Sequence, residues 1–174
     1  GSANTATGYE ALNRNTTGGE NTGFGYQSLL FTTTGTRNTA TGHQALYSNA
    51  TGDYNTANGN AALYSNTTGY SNTAYGANAL NANTTGIYNT SIGIGTLSEN
   101  TTGTFNTALG TFAGVVSADL TNATAIGNQA RVDVSNKVRI GNIAVTSIGG
   151  QVGWSTFSDG RYKQNVQQDV PGLA

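Results

Sequence analysis

Side chains able to do chemistry are sparse in this chain. Across residues 1–114 the only acids are Glu10, Glu20, Asp53 and Glu99. They are too scattered to supply the paired carboxylates that cleave a glycosidic bond. The one histidine, His43, occupies a position that elsewhere holds Tyr9, Tyr26, Asn60 and Ala77, so it reads as an exposed polar substitution and not as a ligand. Cysteine is absent, which gives no disulfide framework and no argument about redox compartment. No metal site and no cofactor is expected. What remains is recognition chemistry. Tyr47, Tyr54, Tyr64, Tyr70, Tyr75 and Tyr88 cluster in the middle of the chain. Exposed tyrosines stack on sugars or anchor a protein partner, and they also simply cover a sheet. Asn15-Thr16-Thr17, Asn49-Ala50-Thr51, Asn66-Thr67-Thr68 and Asn83-Thr84-Thr85 match the glycosylation sequon, but they recur because a larger pattern recurs.

That pattern is a repeat of seventeen residues. Asn-Thr, a small residue, any residue and Gly return at Asn4, Asn21, Asn38, Asn55, Asn72, Asn89 and Asn106, with a weaker eighth copy at Ala123-Thr124-Ala125-Ile126-Gly127. Leu12, Leu29, Leu46, Leu63, Leu80 and Leu97 form a second column. Gly18, Gly35, Gly52, Gly69, Gly86 and Gly103 form a third, after a Thr-rich segment. A fixed short period marks a solenoid. Gly, Asn and Thr are poor helix formers. One Leu per unit is too few for leucine-rich repeats, and the calcium-binding roll needs an Asp in every repeat.

The expected fold is therefore all-β: a parallel β-solenoid of 17-residue coils. Each coil reads as a strand at Asn-Thr-Ala, a second short strand around Ala-Leu, and a polar turn closed by a glycine that supplies a left-handed position or a close approach. Eight coils stacked at about 4.8 Å would span roughly 38 Å. One Leu and some Ala per coil bury little apolar surface against the entropy of ordering. The expectation is a homotrimer in which three thin solenoids share an axis. Leu12, Leu29, Leu46, Leu63, Leu80 and Leu97 then line the trimer core, with Asn and Thr columns as hydrogen-bonded ladders.

Composition fits this reading. Only 9% of the 174 residues are charged and the formal net charge is −1, against about 25% charged residues on average. Five of the seven basic residues lie late, at Arg131, Lys137, Arg139, Arg161 and Lys163, accompanied by Asp119, Asp133, Asp159 and Asp169. This balance suits a solvated stalk and argues against a nucleic-acid partner. No apolar run reaches membrane-spanning length, so no membrane insertion is expected. Gly1-Ser2 reads as a cloning scar. The seven-coil repeat block covers residues 3–114. Residues 115–153 read as a degenerate coil and a neck where three chains draw together, because Ile126-Gly127 and Ile140-Gly141 are only fourteen apart.

These residues suggest relatives. The repeat block, over residues 3–130, resembles the head domains of trimeric autotransporter adhesins, which are left-handed parallel β-rolls with Ala-Ile-Gly-type repeats; the unit here is longer. Val138-Arg139-Ile140-Gly141 through Val152-Gly153-Trp154-Ser155-Thr156-Phe157-Ser158-Asp159-Gly160-Arg161-Tyr162-Lys163 resembles the junction into the intramolecular chaperone domain of phage tail fibres, tailspikes and endosialidases. Bacterial "tail fiber domain" surface proteins join similar repeats to this motif. Residues 154–174 would be only the truncated start of that domain. The resemblance implies Ser158 as nucleophile and Lys163 as base of a self-cleavage that trims the fibre after assembly. A Ser-Lys dyad needs a buried, neutral lysine, so this length of chain is expected to be inert, with Ser158-Asp159-Gly160 a turn and Arg161-Tyr162-Lys163 the start of an exposed helix.

The functional expectation is a trimeric fibre or adhesin shaft that attaches to a cell-surface receptor or glycan. It is structural and not an enzyme, and it is extracellular, on a virion or injection-particle fibre or a bacterial surface. Two alternatives carry weight. An ice-binding β-solenoid needs two flat Thr ranks; Thr5 with Thr7 and Thr39 with Thr41 fit, but Asn58, Tyr75, Ile92, Leu109 and Ile126 break the second rank. The other is the non-catalytic stalk of a polysaccharide-degrading tailspike.

Overall fold

The computed structural model describes residues 1–148, and Gly1–Ala144 forms one compact unit. Among the described residues there is no helix. The elements are β1 (Thr5–Thr7), β2 (Thr22–Phe24), β3 (Thr39–Thr41), β4 (Thr56–Asn58), β5 (Thr73–Tyr75), β6 (Thr90–Ile92), β7 (Thr107–Leu109), β8 (Gly114–Val115), β9 (Thr124–Ile126), β10 (Arg131–Val132) and β11 (Val138–Ile140). Nine of them build one parallel sheet in the order β1-β2-β3-β4-β5-β6-β7-β9-β11, and β8 pairs with β10. The chain is a parallel β-solenoid with 17-residue coils. Equivalent residues pair at every rung, as Thr39↔Thr56 and Thr56↔Thr73. The last rung pairs Val138 with Thr124, so the final coil is shortened to fourteen residues. The sheet runs unbroken past residue 114, where the repeat block was expected to end.

The Ala-Leu segment is not a strand. It is a turn in which left-handed residues alternate with ordinary ones: Gln44 and Leu46 have φ of 54° and 50°, and Ala61 and Leu63 both have 51°. Such a backbone costs an L-residue roughly 1–2 kcal/mol. It persists because the neighbouring coil fixes it. The N–H groups of Leu46 and Leu63 donate to the carbonyls of Ala62 and Ala79 at 2.9 and 3.0 Å, and those of Gln44 and Ala61 donate to Tyr26 and His43 in the coil before.

This backbone turns the leucines inward. Leu29, Leu46, Leu63 and Leu80 have no exposed surface within the single chain, and Leu12 and Leu97 are also buried. The column expected to line a shared trimer axis instead fills the interior of each coil, packed on Ala40, Ala57, Ala74 and Ala108 from the sheet. The expectation rested on Ala-Leu forming a second short strand, which it does not. A left-handed turn at the leucine folds the coil around it.

Two asparagine ladders complete the core. Asn21, Asn38, Asn55, Asn72, Asn89 and Asn106 are buried. In this column the backbone N–H of Asn55 donates to Asn38 Oδ1 at 2.9 Å, while Asn55 Nδ2 donates to the same oxygen at 3.2 Å and to the Gly69 carbonyl at 2.8 Å. The second column, Asn49, Asn66, Asn83 and Asn100, runs likewise: Asn66 Nδ2 donates to Asn49 Oδ1 at 2.8 Å and to the Gly69 carbonyl at 2.9 Å. The two ladders meet at that glycine. A Cβ on Gly69 would lie 2.4 Å from Asn66 Oδ1 and 2.5 Å from the Gly86 carbonyl oxygen. Close approach, not a left-handed backbone, is what this glycine column supplies. A buried amide is tolerated only with its partners made, and the repeat makes nearly all of them. The exception is instructive. Thr32 stands where the second ladder needs Asn, and the two buried unpartnered side-chain atoms among the described residues are Thr32 Oγ1 and Asn15 Oδ1, the rung below it.

Candidate functional site

Side chains alternate along each strand. The middle residue of each strand points into the coil, and the two flanking residues point out. The outward face of the nine-stranded sheet thus carries two columns. One is Thr5, Thr22, Thr39, Thr56, Thr73, Thr90, Thr107 and Thr124, ending in Val138. The other is Thr7, Phe24, Thr41, Asn58, Tyr75, Ile92, Leu109, Ile126 and Ile140. No charged residue stands in either column. From β5 to β11 the second column is an uninterrupted apolar strip: Tyr75, Ile92, Leu109, Ile126 and Ile140 occupy successive rungs, each at least 36% exposed. Isolated exposed apolar residues are ordinary, but a contiguous strip marks an interaction face. Sequence reasoning held the signal, the residue after Ala in each repeat, and used it only against an ice-binding surface.

The predicted tyrosines fall into separate groups. Tyr47 stacks on Tyr64 with ring centres 4.9 Å apart and planes 2° from parallel, and Phe31 meets Tyr47 edge-on. Tyr88 stacks on Phe105 at 5.1 Å and takes the Tyr70 ring edge-on. Burial raises the Tyr70 phenol above its ordinary pKa, with help from Tyr88. Tyr54 lies under the Arg37 guanidinium, which also hydrogen-bonds its hydroxyl and pairs with Glu20 at 3.0 Å. That pairing holds the Glu20 carboxyl below its ordinary range. Tyr75 stands apart on the sheet face. The sequence did not reveal a further stack, Tyr9 on Tyr26 on His43, at 5.3 and 5.0 Å. His43 is exposed, as expected for a surface substitution.

This stacking changes what the tyrosines can offer. Rings stacked along the coil axis cover one another's faces and present edges and hydroxyls. Binding a sugar by its apolar face needs a free ring face, which the inner rings of these stacks lack. Ser158 and Lys163 lie outside the described residues. Among those described, no group of three His, Asp or Glu side chains converges into a metal-binding cluster. No family model, curated protein or solved structure matches this chain.

Proposed function

We propose that this chain is the shaft or head of a trimeric fibre or adhesin that attaches to a cell-surface receptor or glycan, a structural part and not an enzyme. The observation that carries the reading is the uncharged apolar strip on the sheet. Each chain is periodic at one residue per rung. Parallel copies around an axis along the stack therefore set Ile92 against Ile92 and Leu109 against Leu109, so one surface complements itself at every level. Removing five half-exposed side chains from water contributes on the order of 5 kcal/mol per chain. The interface first expected at the leucine column moves in this reading to the column after the alanine. An extracellular setting, a phage or injection-particle fibre or a bacterial surface, and self-trimming by Ser158 and Lys163 in a longer parent belong to the same proposal. They rest on the resemblances of the repeat block and of residues 138–163.

Multi-angle light scattering tests the assembly. The wild type should give three times the chain mass of 17.8 kDa, and the double variant Ile92→Asp, Leu109→Asp should be a folded monomer with an unchanged circular dichroism spectrum. A wild type that is monomeric at micromolar concentration would sink the trimer. As an ice-binding surface the same face is weak: Phe24, Tyr75, Ile92 and Leu109 replace the second threonine rank with bulky side chains.

A further inference from the structure

The leucine column ends at Leu97. In the next two coils its place is taken by Gly114 and Arg131, where the chain runs straight as β8 and β10, and Val115 and Val132 fill the core instead. A groove of about 750 Å³ lies beside this change of path, and Phe112, Val116, Gln129, Arg131 and Arg139 are among the residues lining it. That size is typical of a small-molecule site.

Two of its groups are set differently from their counterparts elsewhere in the chain. Phe112 belongs to none of the aromatic stacks and its side chain is half exposed. The Cδ1–Cε1 edge of its ring lies against Gly95, where an added Cβ would come within 2.6 Å of both atoms, and no other aromatic ring among those described stacks on its faces. Arg139 stands at the middle of β11, in the column that holds Ala125 one rung earlier. Its Nε donates to the Gly141 carbonyl at 3.1 Å. Among the described residues no carboxylate lies within ion-pair distance of it, whereas Arg131 pairs with Glu99, and Asp133 at the groove's rim pairs with Lys137 at 2.7 Å. The groove thus keeps one guanidinium without a direct ion pair among the described residues, although its charge helps to lower the Asp133 carboxyl across the groove. Gln129 adds an exposed amide, and Asn142 pins the turn at Ile143-Ala144 by donating to the Asn128 carbonyl and accepting from the Ala144 N–H.

A planar guanidinium recognises a carboxylate with two parallel hydrogen bonds. A free aromatic face recognises the apolar face of a sugar ring, and an amide satisfies hydroxyls. We infer that this groove binds a carboxylate-bearing sugar, a hexuronate unit of an acidic glycan, with Arg139 on the carboxylate, Phe112 against the ring and Gln129 on a hydroxyl. The inference supplies a ligand class for the attachment role and rests on that role for its biological meaning. The groove is built from columns other than the two on the sheet face, so the trimer and the groove can fail separately.

Isothermal titration calorimetry decides it, with light scattering on the same samples. The probes are a glucuronic acid disaccharide and the neutral glucose disaccharide of the same linkage. The acidic probe should bind in the submillimolar range and the neutral one at least about tenfold more weakly. Arg139→Gln should abolish the difference. Phe112→Leu, which keeps a side chain over Gly95, should weaken both probes while leaving the preference for acid intact. Equal affinity for the two probes, no heat at millimolar concentration, or binding unchanged in a folded Arg139→Gln variant would each overturn the groove. Binding by a monomer would uphold the groove and sink the trimer.

Discussion

The regular coils and the closing coils solve the same problem with different materials. From the third to the sixth coil of the repeat block each coil is held by a buried leucine and two buried asparagines, such as Leu46 with Asn38 and Asn49 and Leu63 with Asn55 and Asn66. Past Leu97 the leucine gives way to Val115 and Val132. Asn106 makes the last rung of its ladder by accepting from the Ala123 N–H at 2.9 Å. Beyond that point an exposed polar pair, Asn122 Nδ2 to Asn136 Oδ1, joins the final coils. Charge follows the same divide: Arg131, Asp133, Lys137 and Arg139 crowd the closing coils. The contrast teaches that a thin solenoid does not need a thick apolar core if its buried amides repeat in register. Each rung satisfies the next, and the cost of burial falls only where the ladder stops.

The largest expected effect breaks a ladder in the regular block. Asn72 Oδ1 accepts the N–H and Nδ2 of Asn89 at 3.0 and 3.1 Å, and Asn72 Nδ2 donates to Asn55 Oδ1 and the Gly86 carbonyl at 3.2 and 2.8 Å. Asn72→Leu keeps the volume and strands these partners in a dry site. Chemical denaturation should show a loss of about 4 kcal/mol, the sum of several unmet buried groups. Asn128→Leu, at an exposed position of the closing coils, should change stability by less than about 0.5 kcal/mol. Equal losses would mean that the amide ladder is not what holds the regular block.

The period, the parallel register and the short last coil were all legible in the sequence, because Asn-Thr and Gly return with no slip. The asparagine columns were legible as hydrogen-bonded ladders. What could not be read was direction. Ala45-Leu46 looks like a strand fragment. Only the left-handed backbone at Leu46, stabilised by the neighbouring coil, sends that side chain inward. Nothing in residue type announces it, since leucine rarely adopts such a φ. The outward column was visible at Tyr75, Ile92 and Leu109 but carried no meaning until the leucines were accounted for. The groove was illegible, because Phe112, Gln129 and Arg139 come together only where the repeat fails.

A smaller effect of opposite sign repairs the one fault inside the regular block. With asparagine at position 32, its amide would donate to Asn15 Oδ1, and its oxygen would accept from Asn49 Nδ2, as Asn49 Oδ1 accepts from Asn66. Thr32→Asn should therefore raise stability by about 1–2 kcal/mol and lengthen amide exchange lifetimes around residues 15–18 and 32–35. No gain would show that Thr32 packs as well as the ladder it interrupts, and the comparison would then rest on the leucines alone.

The smallest effect is electrostatic and separates the two regions by pH. The Glu20 carboxyl is lowered by its hydrogen bond to Arg37, and that of Asp133 by its hydrogen bond to Lys137. Both are depressed, so each contributes stability that is present above the ordinary carboxylate value, about 4, and is lost as pH falls through the lowered one. Both pairs are exposed and screened, so their worth is small. Melting temperature should be flat from pH 7 to 5 and decline only slightly below about pH 4. The two regions should not respond alike. Loss of the Glu20 pair leaves a coil still held by Asn21 and Asn38. Loss of the Asp133 pair frees the 133–137 turn of the fourteen-residue coil, which has no buried asparagine behind it. Amide exchange at acid pH should therefore lose protection first at residues 124–141 while residues 72–76 stay protected, and Asp133→Asn should bring the same local loss at neutral pH. Simultaneous loss in both regions would mean that the closing coils are as firmly built as the repeat, and that amide ladders and valines serve equally well.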